Sequence, residues 1–177
     1  MKLIREMNQG ELAAYIDSHL RDKGIDVVLS GGASVAIYSD YRYVSEDLDF
    51  IASFFINHSE IKAIMKEMEF DRKGRYYFHS QTPYYVEFIS GPPSVGQDLI
   101  EDIHELEMVT GIVRIISPTD SVKDRLAAYY HWQDLQSLEQ ALLVADSNPI
   151  NLENIEAWSR REGKSTEFEE FKRRFQK

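Results

Sequence analysis

Two aspartates separated by one residue are the first side chains in this sequence that could do chemistry. Asp47 and Asp49 belong to the run Asp47-Leu48-Asp49-Phe50-Ile51, whose apolar residues predict a strand. Side chains alternate along a strand, so both carboxylates are expected on one face, opposite Leu48 and Phe50. Neighbouring carboxylates repel each other, and a hard divalent cation such as Mg²⁺ removes that cost and also engages phosphates. The pair therefore predicts a Mg²⁺ site; the alternative is a strand end with two merely solvated aspartates.

The element before this strand should bring backbone close to the aspartates. Val27–Leu29 is a short apolar run that predicts a buried strand, and Ser30, Gly31 and Gly32 end it. Two consecutive glycines let a backbone turn tightly and approach a ligand closely. A helix over Ala33–Tyr38 would then direct the N–H groups of its first turn at that ligand. The expected order is strand, glycine turn, helix and acidic strand.

A third carboxylate lies in a later apolar segment. Glu87 is in the middle of Tyr84–Ile89, which the sequence predicts as a strand. A carboxylate among apolar neighbours is costly unless it is paired or binds a metal. The alternative is an edge strand on which Glu87 faces water. The loop 90–96 that follows contains glycine and proline and is expected to lack regular structure. It could rim the site or be a plain connection.

The glycine pair, the helix after it and the Asp-x-Asp strand together resemble the nucleotidyltransferase superfamily, the DNA polymerase beta-like group. Arg42 and Ser45, which precede Asp47, resemble the abortive-infection toxin-like branch of that superfamily. The resemblance implies an α/β fold, a nucleotidyltransferase-like mixed β-sheet flanked by helices with a helical C-terminal part. It also implies that Glu87 is the third acidic residue of the site, facing the aspartate pair.

The resemblance further implies a reaction, the transfer of a nucleoside monophosphate from an NTP to a hydroxyl with release of pyrophosphate. Asp47, Asp49 and Glu87 would be catalytic and would hold two Mg²⁺ ions, with Mn²⁺ as a substitute. The expected nucleotide-binding residues are Ser30, Gly31, Gly32, Arg42, Ser45 and Lys123. Among them, Lys123 would neutralise triphosphate charge, with Arg125 and Asp134 as supports; the alternative for Lys123 and Arg125 is an exposed first helical turn.

The acceptor of the nucleotide stays open at this stage. One hypothesis is a toxin-like transferase that modifies tRNA or another RNA and has an antitoxin protein as partner. A second is a transferase that acts on a small molecule such as an aminoglycoside, or on a protein side chain. A third is a non-catalytic nucleotide-binding or interaction module with the same fold, because a fold does not fix a function.

Composition sets the class of protein. The chain has 177 residues, 43% of them hydrophobic, which is sufficient for a core of one domain. A net charge of −10 argues against broad nonspecific binding to nucleic acid. The sequence has no cysteine, which excludes disulfides and fits a reducing compartment. There is no apolar run long enough to span a bilayer and no signal-peptide pattern, so a cytoplasmic location is expected and no membrane partner.

The spacing of apolar residues, which predicts helices and strands, divides the chain into two parts. Residues 1–116 are expected to form the nucleotidyltransferase-like α/β core, and 117–177 a helical part packed on it. Within the core, the sequence predicts helices over 10–22 and 57–68, a strand over 75–78 and a hairpin over 106–116 with its turn near Gly111. The acidic stretch 98–107 is predicted to be a short helix or a solvated linker.

The last helix, which begins near Ser165, combines aromatic and basic residues. Phe168, Phe171 and Phe175 alternate with a cluster that includes Lys172, Arg173 and Arg174. Such interleaving could hold an RNA backbone. The alternative, which we favour, is a terminal amphipathic helix with its aromatic face on the body of the protein and its cations near the negative end of the helix dipole.

Overall fold

The structure, a computed structural model, describes residues 2–52 and 57–177. A 3₁₀ turn at Ile4–Glu6 precedes the first helix. The described helices are α1 Gln9–Asp22, α2 Gly31–Tyr38, α3 His58–Glu67, α4 Pro118–Trp132, α5 Leu135–Ser147, α6 Leu152–Arg161 and α7 Ser165–Phe175. The described strands are β1 Val27–Ser30, β2 Asp47–Ala52, β3 Asp71–Lys73, β4 Tyr76–Phe78, β5 Tyr85–Ile89, β6 Ser94–Val95, β7 Asp98–Leu99, β8 Ile103–Met108 and β9 Gly111–Ile116.

The main sheet is mixed, as the family resemblance implied. Its strand order among the described residues is β3-β4-β5-β2-β1-β9-β8. The central strand β2 pairs antiparallel with β1 and parallel with β5, while β1 pairs parallel with β9. Parallel neighbours need crossover connections, and helix α3 with the β3–β4 hairpin lies between β2 and β5 in the chain. The α/β fold class is therefore confirmed.

Alternating residues of β1 enter two different apolar cores, because successive side chains point to opposite sheet faces. Val27 and Leu29 join the first core, which α1 and α3 cover. Val28 joins the second core, which consists largely of residues from α4, α5, α6 and α7. Both cores are built from fully buried side chains such as Phe50 in the first and Trp158 in the second. The C-terminal helices thus cover the face of the sheet opposite α1 and α3.

Side-chain caps fix the helix boundaries close to the predicted ones. Asn8 forms a capping box with Glu11 at the start of α1, and Asn57 caps α3. Asn151 caps α6, and Asp134 caps α5. Each cap oxygen accepts from N–H groups that have no partner within the helix. These bonds fix the first turn of each helix.

The segment from 90 to 107 differs from its prediction. Residues 94–99 contain a small two-stranded hairpin, β6–β7, with Ser94 opposite Leu99. Gly96 has a φ of +59°, which allows its turn, and Val95 is buried in the second core. Strand β8 begins at Ile103, where a helix or linker was expected. The partner strand β9 decides this, because β8 pairs with it in register from Ile103 onwards.

The aromatic face of α7 packs on the body of the protein, as we favoured. Phe168 and Phe171 are buried in the second core. The basic residues of the last turns form ion pairs with acidic neighbours: Lys172 with Glu156, Arg173 with Glu170 and Arg174 with Glu139. Within the described ranges, no helix is both long enough and apolar enough to cross a bilayer.

Candidate active site

The register of β2 and β5 places the three predicted carboxylates on one sheet face. Asp49 lies directly opposite Glu87, and Asp47 is one step along the same face. The intervening Leu48 is fully buried in the first core, so the aspartates point the other way. We call this side of the sheet the carboxylate face. Its three carboxylates are only partly buried, so a solvent-borne ligand can reach them.

Gly31 is the point at which backbone approaches the acidic pair most closely. It begins α2 directly after β1, with a φ of +64°. A Cβ at this position would lie 2.5 Å from Asp49 Oδ2. Both the left-handed φ and the space are therefore available only to glycine. The predicted glycine turn is thus compressed into the first residue of the helix, and the Asp49 carboxylate lies beside the start of α2.

Ser45 and Ser30 hold the aspartates in place. The Ser45 hydroxyl donates to Asp47 Oδ1 at 2.5 Å, and it lies so close to Gly32 that a Cβ there would be 2.7 Å from Ser45 Oγ. The Ser30 hydroxyl donates to the Asp49 carbonyl at 3.3 Å. Because Ser45 and Ser30 are both buried, their hydroxyls act on the acidic strand rather than on solvent.

The electrostatics of the site centre on Asp49. Burial, followed by the negative charges of Asp47 and Glu87, raises the pKa of Asp49 to about 7, while Arg125 acts in the opposite direction. Neighbouring negative charges disfavour the ionisation of a carboxyl group, because the carboxylate that forms is repelled by them. The arrangement is therefore costly for an anion and attractive for a cation.

Arg125 is the cation of α4 that acts on this site. Its guanidinium donates to Asp124 Oδ2 at 3.0 Å and to Gln140 Oε1 at 3.3 Å. The pKa of Arg125 is raised although burial opposes this, because Asp124 and then Asp49 stabilise its charge. Two hydrogen-bond partners hold the guanidinium in a fixed position near the carboxylates, although the sequence predicted only a supporting role for it.

Arg75 reaches the site from the opposite side. Its Nε lies 3.3 Å from Glu87 Oε1, and the Arg75 side chain is 69% exposed while that of Glu87 is 16% exposed. The arginine follows Gly74 in the turn between β3 and β4. The sequence predicts a strand at Arg75 and indicates no role for it, because only the pairing of β4 with β5 brings it to Glu87.

The donor set fits Mg²⁺ in its chemistry. Carboxylate oxygens are the ligands that hard divalent cations prefer, and the absence of a Cβ at Gly31 lets the start of α2 lie against the Asp49 carboxylate. In the part of the chain that the structure describes, no three acidic, histidine or cysteine side chains converge as a metal-binding group. Glu87 is paired with Arg75 instead. Asp47, Asp49 and Glu87 thus have the right chemistry and share a face.

Two predicted nucleotide-binding residues lie away from the carboxylates. Lys123 is buried and pairs with Asp120 at 3.3 Å, two residues before Arg125 and so on a different side of α4. The Arg42 guanidinium donates to the carbonyls of Ser39 and Leu143, which ties the loop after α2 to α5. Their predicted roles in nucleotide binding stay predictions.

Asp134, predicted as a support, is the N-cap of α5. It accepts hydrogen bonds from the backbone of Gln136 and from both the backbone and hydroxyl of Ser137. These bonds, the Ser137 hydroxyl first, hold the pKa of Asp134 below its usual value. Its observed contribution is to fix the start of α5, the helix that carries Gln140 to Arg125.

Comparisons with known proteins place this geometry in a fold family. No protein-family model matches the sequence, and no curated protein matches it significantly. Several solved structures do match the fold of this chain. One is an antigenic nucleotidyltransferase-like protein from Paracoccidioides brasiliensis, with a TM-score of 0.61 and 15% identity over 77% of this chain and 75% of that one.

Two further structures belong to one antibiotic-resistance factor. ANT(2'')-Ia in complex with adenylyl-2''-tobramycin has a TM-score of 0.53 and 13% identity, covering 91% of this chain and 95% of its own. Its solution structure has a TM-score of 0.53 and 14% identity, covering 88% and 93%. At these identities the similarity shows the fold. The fold that the resemblance implied is thereby confirmed: this chain has the fold of these nucleotidyltransferase-like structures.

Proposed function

We propose that this protein is a Mg²⁺-dependent nucleotidyltransferase that moves a nucleoside monophosphate from an NTP to a hydroxyl of an acceptor. The observation that carries the proposal is the carboxylate face. Asp47, Asp49 and Glu87 occupy adjoining positions of paired strands β2 and β5, and Gly31 lets the start of α2 lie against Asp49. The fold supports the proposal but does not by itself decide it.

The residues have separable roles in this reaction. Asp47, Asp49 and Glu87 would hold Mg²⁺, or Mn²⁺ in its place. The bound metal would supply alignment of the attacking hydroxyl and charge stabilisation for the leaving pyrophosphate. The first turn of α2, to which Ser30 gives no side-chain hydrogen bond, would direct N–H groups at the phosphates. Arg125 would offset phosphate charge from α4.

Glu87 is assigned to the side of the site nearest the attacking hydroxyl. It lies on β5, farther from the start of α2 than Asp49 is in the strand order β5-β2-β1. The acceptor would therefore approach across β5 and β4, and the NTP across β1 and α2. An RNA acceptor and an antitoxin partner are part of this proposal in its toxin-like form; a small molecule or a protein side chain are its other acceptors.

A second candidate is a nucleotide-binding module without catalysis. The ion pair between Arg75 and Glu87 favours it, because that contact engages the third carboxylate. Such a module would bind NTP through the first turn of α2 and Arg125, but it would transfer nothing.

One labelling experiment tests the proposal. The purified protein is incubated with each of the four α-labelled NTPs, Mg²⁺ and total cell extract, and the labelled fraction is separated into RNA, protein and small molecules. We expect label from at least one NTP, lost in Asp47→Asn and retained in Asp22→Asn, a matched change at the exposed end of α1. Binding of NTP without any label transfer would favour the non-catalytic module.

A further inference from the structure

Three aromatic rings form a continuous surface next to the carboxylates. Strand register places Tyr76 opposite Glu87, and Phe78 opposite Tyr85, while Tyr85 is itself opposite Asp47. The rings contact one another, with centroid separations of 5.0 Å for Tyr76 and Tyr85 and 5.7 Å for Phe78 and Tyr85. We call Tyr76, Phe78 and Tyr85 the aromatic platform.

The platform lies on the carboxylate face and not in the first core. Tyr77, between two of its members, is the residue of β4 that enters the first core, so Tyr76 and Phe78 point to the other side. All three platform residues are only partly buried. Rings that pack one another and still reach solvent, beside a candidate active site, offer flat faces to a ligand.

Two cations stand over this platform. Lys73 Nζ lies 5.7 Å from the centre of the Phe78 ring, and Arg75 Cζ lies 4.8 Å from the centre of the Tyr76 ring. Both side chains are exposed, and we call them the basic rim. The one acidic residue of β3, Asp71, is engaged by Lys66 at 2.6 Å. Arg75 also pairs with Glu87, so the basic rim adjoins the carboxylates as well as the rings.

We propose that the aromatic platform and the basic rim bind the single-stranded end of an RNA acceptor. Exposed aromatic rings stack unpaired bases, and neighbouring cations hold the phosphates that link them. Strands β4 and β5 would then lead the terminal hydroxyl toward Glu87. This inference rests on the proposed function, since it names the class of acceptor that the same site would use.

Charge decides between this acceptor and an aminoglycoside. An aminoglycoside is a polycation and requires carboxylates around it, whereas Lys73 and Arg75 would repel it. The carboxylates of the face are those that the proposed function assigns to Mg²⁺. The opposite side of the same hairpin supplies a matched control, because Arg72 is also exposed but stands 5.8 Å from Tyr77, whose ring belongs to the first core.

The test measures binding alone, by fluorescence anisotropy of a labelled single-stranded RNA dodecamer in EDTA without NTP. We expect Tyr76→Leu to weaken binding about tenfold, the loss that follows from one stacked base. Lys73→Gln with Arg75→Gln should lower the slope of log affinity against log salt by about 1.4, or about 0.7 for each phosphate contact. Arg72→Gln should change neither value.

Equal RNA affinity in wild type and in every variant would overturn the inference. Lys73→Gln alters an exposed residue, so folding of that variant is expected and is checked by its melting temperature. The proposed function fails separately: if RNA binds the platform but no RNA, protein or small-molecule fraction is ever labelled, the transferase is refuted and the RNA site stands.

Discussion

At the scale of single residues, Asp49 is where stability and function oppose each other most directly. Burial and two neighbouring carboxylates raise its pKa to about 7, so its ionised form is unfavourable in the folded protein. In the unfolded chain the same group should ionise near its ordinary value of about 3.9. The folded protein therefore binds a proton more tightly than the unfolded one, which makes stability fall as the pH rises from about 4 to about 7.

Asp49→Asn should remove this pH dependence. Without metal, the variant should have a higher melting temperature than wild type at pH 8, because the repulsion is absent, and the difference should shrink at pH 5. Thermal unfolding in EDTA across this range measures it. The same variant should lose Mg²⁺-dependent NTP binding in calorimetry. Unchanged Mg²⁺ affinity, or parallel pH profiles, would contradict the assignment.

Gly31→Ala should damage the site as well as the fold. A Cβ there meets Asp49 Oδ2 at 2.5 Å and sits on a backbone with a φ of +64°. Gly74→Ala is the matched control, since Gly74 has the same φ of +64° with nothing within 4 Å of an added Cβ. Both changes should cost about 1–3 kcal/mol in unfolding free energy. Loss of NTP binding is expected only in Gly31→Ala; an equal loss in both would argue against a close approach at Gly31.

Two substitutions of Glu87 test whether this residue takes part in catalysis. Glu87→Gln keeps the shape but removes the charge, so turnover should fall by several orders of magnitude while NTP binding survives at lower affinity. Glu87→Asp should retain part of the activity, because it keeps the carboxylate. Transfer rates measured with whichever NTP labels the extract decide this. If both variants stay within about twofold of wild type, Glu87 has no part in catalysis.

At the scale of elements, the sheet positions the active site and the helices fill its cores. Strands β2 and β5 carry the carboxylates, and β4 extends the same face with the aromatic platform. Helix α2 brings its first turn to Asp49 because Gly31 joins it to β1 without an intervening loop. Helix α4 adds Arg125, whose position depends on Gln140 of α5. The site therefore combines contributions from both sides of residue 116.

Helix α7 serves packing according to its contacts. Phe168 and Phe171 are buried, and Lys172, Arg173 and Arg174 each form an ion pair. Changing these three residues to alanine should leave RNA affinity and its salt slope unchanged, because none lies on the platform. The melting temperature should fall only slightly, since exposed ion pairs contribute little. A salt slope that flattens as it does in the Lys73 and Arg75 variants would instead assign RNA binding to α7.

At the scale of the whole molecule, the two predicted parts share one core. Val28 of β1, Val35 of α2 and Ile116 of β9 are buried among residues of the C-terminal helices. Polar contacts cross the same boundary: the Asn148 side-chain amide donates to the Tyr38 carbonyl at 2.9 Å, and Ser34 Oγ lies 2.9 Å from Ser121 Oγ. Residues 117–177 thus cover an apolar face that would otherwise meet water.

We therefore expect the chain to unfold as one cooperative unit. Urea transitions followed by far-UV circular dichroism and by tryptophan fluorescence should coincide, since buried Trp158 reports on the helical part and the sheet on the rest. A fragment that ends at Ile116 should not fold, because the second core loses most of its members. Two separate transitions, or a folded fragment, would show that 1–116 and 117–177 are independent domains.

The sequence by itself determined those features that depend on neighbouring residues. Alternation put Asp47 and Asp49 on one face of a strand, and Gly31 and Gly32 marked the turn. Each depends on local backbone geometry, which a few adjacent residues specify. The family resemblance then supplied the mixed sheet, and the solved structures confirmed that fold.

Only the tertiary structure decided which distant residues meet. Arg75 lies 3.3 Å from Glu87 because β4 pairs with β5, and the aromatic platform exists because β5 also pairs with β2. Arg125 acts on the site and Lys123 pairs with Asp120 because they face different sides of α4. Strand β8 formed where a helix or linker was expected because β9 offered it a partner. Strand order and helix rotation come from packing across the whole chain, and no local pattern encodes them.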